Sequence, residues 1–254
     1  VELAISLLVS AVVFGAATFT IYFNQKLPKD HQSKDTQDVI RLGTGMISVL
    51  ASLVLGLLVA TTKGTFDQTD TEVKGLATDI IMLDRDLRDY GPPSLAARAL
   101  LRRFVIRDIH EIWPDHSADT EPQLDDRDAG VLLQSARAAI RALVPTTTTQ
   151  TEVRTDALTE VNSVVRARWL LIAQSSRSIR PLFLIVLVAW IVLIFASFAF
   201  GAPRHLTMLS FFMVSTLAIG GAIFLILEMD SPFSGFIEIS PKPMQHALHY
   251  IEHD

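Results

Sequence analysis

Three groups of ionisable side chains mark where this sequence could do chemistry. Asp67, Asp70 and Glu72 cluster within two helical turns. In an oligomer they could ring the cytoplasmic mouth of a pore and favour cations. The same three also fit the start of a helix, where acids complement the macrodipole and Asp67 or Thr69 serves as the cap. Glu228 and Asp230 allow the same two readings. His246, His249 and His253 recur at i, i+3, i+7, so a helical tail would carry them on one face. Such spacing could hold a transition metal, but no acidic or thiol partner is fixed nearby, so the tail reads as a solvated face without metal. There is no Cys. Disulfides, thiolate catalysis and Cys-based metal sites are excluded. No phosphate-binding glycine loop, HExxH or nucleophile elbow occurs. No catalytic residue, cofactor or enzymatic activity is expected.

The elements that would position these groups are apolar and helical. Half of the 254 residues are apolar. That share, with a mean hydropathy of +0.37, points to a membrane protein. The net charge of −5 and the lack of a basic patch give no reason to expect nucleic acid. Four stretches are long enough to span: Leu3–Phe23, Leu42–Thr62, Pro181–Phe200 and Leu206–Leu227. The first lacks a basic n-region and a clear cleavage site, so it reads as a retained span rather than a signal peptide. A polar loop over Asn24–Arg41 follows it. Spans three and four are joined by a few residues around Gly201-Ala202-Pro203 and form an antiparallel hairpin. Between spans two and three, Asp70–Tyr90, Ser94–Trp113, Asp128–Val144 and Thr151–Ser176 each carry helical apolar periodicity. The expected fold is all-α. Its segments are spans one and two (1–62), a helical cytoplasmic domain (63–180), spans three and four (181–228) and a cytoplasmic tail (229–254).

An even number of spans puts both termini and the helical insertion on one side. Near-membrane basics, including Lys63, Lys74, Arg166 and Arg168, place that side in the cytoplasm. No Asp, Glu, Lys, Arg or His lies within any of the four apolar cores. That argues against a proton relay and against an intramembrane charged dyad. A passive pore with an uncharged constriction remains.

Span two has two distinct stripes. Gly45, Ser48, Ser52 and Gly56 recur at steps of three and four, and small residues in lipid let helices approach closely. Val49, Leu53 and Leu57 recur at i, i+4, i+8 and form either a lipid face or a dry pore wall.

Several local runs carry a resemblance. They are Leu55–Thr61 with Phe66-Asp67, Arg168-Trp169-Leu170-Leu171, Phe195-Ala196-Ser197-Phe198, Ala202-Pro203-Arg204 and Leu227–Gly235. Together they resemble the bacterial bestrophin-like domain family, distantly similar to the bestrophin ion channels. The resemblance implies four spans, cytoplasmic termini and a helical part inserted between spans two and three. It further implies a homo-oligomer, a pentamer by analogy, in the bacterial inner membrane, with lipid and inorganic ions as partners. Span two would line the pore. Val54-Leu55-Gly56-Leu57 looks like the run at the bestrophin neck and places the neck on Val49, Leu53 and Leu57. The neck here is aliphatic, has no neighbouring proline, and Thr65-Phe66 stands where bestrophins carry a Trp pair. Two function classes follow. One is an oligomeric ion channel with an apolar neck and a lean towards cations. The other is a non-conducting scaffold or signalling protein that binds a partner through its cytoplasmic helices.

Overall fold

The structure is a computed structural model. It describes residues 1–23, 34–113, 127–174, 181–200, 202–203 and 205–253. Among the described residues the chain is all helical: α1 Glu2–Phe23, α2 Lys34–Tyr90, α3 Leu95–Ile112, α4 Arg127–Ala142, α5 Thr148–Gln174, α6 Pro181–Ala199, α7 Leu206–Met229 and α8 Lys242–His253. Four of these, α1, α2, α6 and α7, are long and apolar enough to cross a membrane.

The largest departure from the sequence reading is α2. The second span and the first helix of the insertion are one 57-residue helix. The expected loop before the span is already helical from Lys34, and its first ten residues, 24–33, lie outside the described part. No proline stands between Pro28 and Pro92, so nothing in that interval removes a backbone donor. The polar stretch that read as a helix start is helix interior. There Thr69 and Thr71 donate to the carbonyls of Thr65 and Asp67, at 3.0 and 2.8 Å. Their hydroxyls fold back along the helix rather than cap it. The true stop is Gly91-Pro92-Pro93. Gly91 has φ of 98°, where a side chain would be strained. The Ser94 hydroxyl then donates to the carbonyls of Leu87 and Gly91, and Gln150 Nε2 donates to Tyr90 O at 3.3 Å. Carbonyls left open at the helix end are thereby satisfied.

The start of α5 also falls earlier than periodicity suggests. Thr147 Oγ1 accepts from the Gln150 backbone N–H at 3.1 Å, and Gln150 Oε1 reaches back to Thr146 N at 2.8 Å. This reciprocal pair begins the helix among the threonines that read as a breaker. Arg154 then donates to Arg141 O at 2.7 Å and covers the end of α4.

The chain divides into two compact units, residues 1–64 with 178–230, and residues 65–177 with 231–254. The first has an apolar core from Val13 and Ala17 of α1, Ala51 of α2, Leu187, Ile191 and Phe195 of α6, and Phe212 and Ile223 of α7. The second is built on Leu76, Ile80, Leu83 and Leu87 of α2. Phe104 and Val105 of α3, Ile140 of α4 and Val161 and Val164 of α5 pack onto these. The C-terminal residues belong to this second core through Phe233, Ile239, Met244, Ala247 and Ile251. Trp113 Nε1 donates to Ile239 O at 2.7 Å, and its ring meets Phe233 edge-on at 5.8 Å. The segment read as a separate tail is part of the helical unit.

Candidate functional site: the outward face of α2

In the first unit α2 turns one side inward. Thr44, Ala51 and Thr62 are buried, and Ile47, Val54, Leu55 and Leu58 pack against the core. Thr44 Oγ1 also donates to Ser197 Oγ of α6 at 2.5 Å. This seam repeats at helical spacing but mixes Thr, Ala and Leu, so neither stripe singled out in the sequence coincides with it. The side opposite is open. Val49, Leu53 and Leu57 are 70%, 68% and 65% exposed. Gly45, Ser52 and Gly56 are exposed too, and Ser48 is half-buried with its hydroxyl donating to Thr44 O at 2.8 Å. No heavy atom of a neighbouring element lies within 4 Å of where a side chain on Gly45 or Gly56 would start. Of the most apolar stretch of α2 only 11% is buried, against 33% in α1, 22% in α6 and 28% in α7. Span two is thus the least covered of the four apolar helices. Its free side carries both stripes.

In the second unit the three acids of α2 take different environments. Asp67 is exposed. Asp70 accepts from Lys74 Nζ at 2.6 Å, and Glu72 accepts from Gln68 Nε2 at 3.0 Å. At ~100° per residue Glu72 lies roughly 140° around the helix from Asp67, so the three do not share one face. Among the described residues no three His, Asp or Glu side chains converge as a metal site. His246, His249 and His253 are exposed on α8, the last two with ring centroids 4.1 Å apart. Glu228, on α7 of the first unit, is buried.

Two buried ion-pair clusters in the helical unit have no counterpart in the sequence reading. Asp84 accepts from Arg98 Nε at 2.8 Å and from Arg88 Nη2 at 3.1 Å. Arg168, taken from sequence as a near-membrane cation, is buried on α5. Its Nε donates to Asp108 Oδ1 at 3.0 Å, and its Nη2 lies 3.4 Å from Glu111 Oε2. Burial pushes the Asp108 carboxyl up to about 6, against the pull of Arg168. The signal was present: Leu101, Phe104, Val105, Asp108 and Ile112 share the α3 stripe that is buried, so Asp108 and its partner had to be inside.

These features have relatives. Over nearly the whole length, 96% of this chain and 97% of the other, the fold matches a variant of a bacterial bestrophin homologue from Klebsiella pneumoniae, with a TM-score of 0.69 and 12% identity. A second variant of that homologue matches with a TM-score of 0.68 and 13% identity over 97% of each chain. A crystal structure of a membrane protein variant matches with a TM-score of 0.67 and 11% identity, again over 97% of each chain. At such identity the likeness is one of fold. No curated protein matches in sequence. The profile of the Bestrophin-like domain matches residues 11–244, and the chain belongs to the bestrophin-like family.

Proposed function

We propose that this chain is the subunit of an oligomeric ion channel whose pore is lined by α2, with Val49, Leu53 and Leu57 as its neck. The observation that carries the reading is the open side of α2. Three large apolar side chains, each about two-thirds exposed, stand in a row beside a stripe of small residues that touches no neighbouring element at Gly45 or Gly56. Copies related by a rotation axis would cover both stripes, one as neck and one as close helix contact. A narrow apolar ring stops ions because they would shed water without replacement ligands, and widening it wets the passage. The acids Asp67, Asp70 and Glu72 would sit at the cytoplasmic mouth. Asp70 is offset by Lys74, so the cation preference is weak. By family analogy the assembly is a pentamer in the bacterial inner membrane, with both termini and the helical unit cytoplasmic.

The experiment is single-channel recording from purified protein in planar bilayers. Leu53→Ala and Leu57→Ala are each expected to raise the open current or produce a leak. Silence of the wild type and both variants across voltage and pH, in protein shown to be folded and oligomeric, would favour the non-conducting scaffold.

A further inference from the structure

At the end of the first unit where α6 turns into α7, a cleft of about 270 Å³ opens between α2 and the helical hairpin. By volume it holds roughly nine waters, room for a group the size of a phosphoglycerol. One wall is polar, with Arg41 and Gln37 of α2; the other is apolar, with Phe198, Phe200 and Met208. Thr44, one turn on from Arg41, is hydrogen-bonded to Ser197 and pins the two helices beside the cleft. Among the described residues no carboxylate lines it. Asp38, three residues before Arg41, is exposed, and among the described residues no ion pair joins the two or occupies Arg41.

The position is specific. α6 is apolar from Leu182 to Ala199 and α7 from Leu206 onward, so the cleft lies level with the ends of membrane-length helices. A group resting there meets hydrocarbon on one side and water on the other. Phe198 is 55% exposed, continuing the apolar wall outward. A guanidinium with no ion pair among the described residues, in such a place, matches a phosphodiester, which it can bind through two parallel N–H donors. We propose that this cleft binds the headgroup of an anionic phospholipid, with Arg41 on the phosphate, Gln37 on the headgroup's polar atoms, and Phe198 and Met208 against the glycerol and acyl chain. The assignment is independent of whether α2 lines a pore.

The test is native mass spectrometry of the delipidated full chain in detergent, titrated with phosphatidylglycerol or phosphatidylcholine. Phosphatidylglycerol is expected to bind more tightly, and Arg41→Gln to weaken it by about tenfold, the usual scale for one charge-assisted contact. Arg41→Lys, which keeps the charge without the fork, is expected to fall between. Arg103→Gln, an exposed charge on α3 of the second unit, should change nothing. Far-ultraviolet dichroism confirms that each variant is folded. Equal binding of the two lipids, or phosphatidylglycerol binding indifferent to Arg41→Gln, overturns the proposal. Displacement of the lipid by millimolar inorganic phosphate, with the same dependence on Arg41, also overturns it by assigning the site to a free anion.

Discussion

Arg168 joins three helices through one side chain. It reaches from α5 to Asp108 and Glu111 on α3, and a side chain started at Gly130 of α4 would meet its Nη1 at 3.4 Å. Arg107 adds a second cation to Glu111 at 2.8 Å. A cluster of this kind holds helices in register because removing one member strands buried charge. Asp86 is the opposite case. It lies on the partly wet side of α2, and its carboxyl is pushed up to about 6. Burial is the largest cause, followed by the charges of Asp156, Glu160 and Asp89, with Arg85 opposing. A carboxyl raised in the folded state takes up its proton there first, so its penalty is relieved as pH falls from about 6 towards 4. Asp86→Asn is therefore expected to stabilise the protein at pH 7, by up to about 1 kcal/mol once screening at this half-exposed site is counted. The gain should shrink below pH 6 and vanish near pH 4. Thermal melts of the purified protein across that range check it; a pH-independent gain would point to packing rather than charge.

Helix on helix, the glycine most closely approached by a neighbouring helix is not on span two. α1 and α7 cross where Gly220 faces Ser6 and Ser10. A side chain at Gly220 would start 1.9 Å from Ser10 Oγ and 3.2 Å from Ser6 O. The Ser10 hydroxyl there is shared between Ser6 O at 3.0 Å and Thr216 O at 3.3 Å. Ser6, Ser10 and Ala17 on α1, with Thr216 and Gly220 on α7, are all buried. They form a small-residue seam of the kind sought on span two. Its spacing is plain in the sequence, but periodicity cannot say which of several small stripes finds a partner within the chain. Gly220→Ala is expected to cost about 1–3 kcal/mol, since the Ser10 hydroxyl can turn away while the Ser6 carbonyl cannot. Gly221→Ala, with no neighbouring heavy atom within 4 Å, should be neutral or gain up to about 1 kcal/mol of helix propensity. Detergent-phase melting temperatures of the matched pair decide between close approach and a general intolerance of Ala.

For the molecule as a whole, the all-α class, the four apolar helices and the insertion between the second and third were legible, because span length and helical periodicity are local signals. The continuity of α2 was legible only in an absence, the proline-free run from Lys34 to Tyr90, which polar residues such as Lys63, Asp67 and Asp70 disguised as a boundary. The docking of α8 was not legible, since Met244, Ala247 and Ile251 make a short stripe whose partner lies far away in sequence. What covers the open side of α2 is decided above the level of one chain. Lipid could cover Val49, Leu53 and Leu57 equally well, but it has no use for a stripe of glycines and serines beside them. If copies pack through that stripe, Gly56→Leu should separate folding from assembly. The new side chain would start at a point with no neighbouring heavy atom within 4 Å in its own chain, so the isolated fold should tolerate it. Between copies the added volume would hold the helices apart, and close packing would be lost. Native detergent electrophoresis is expected to show a homo-oligomer for the wild type and smaller species for Gly56→Leu, with unchanged helical dichroism. A wild type that runs as a strict monomer would remove the pore altogether, because one copy of α2 cannot enclose an axis.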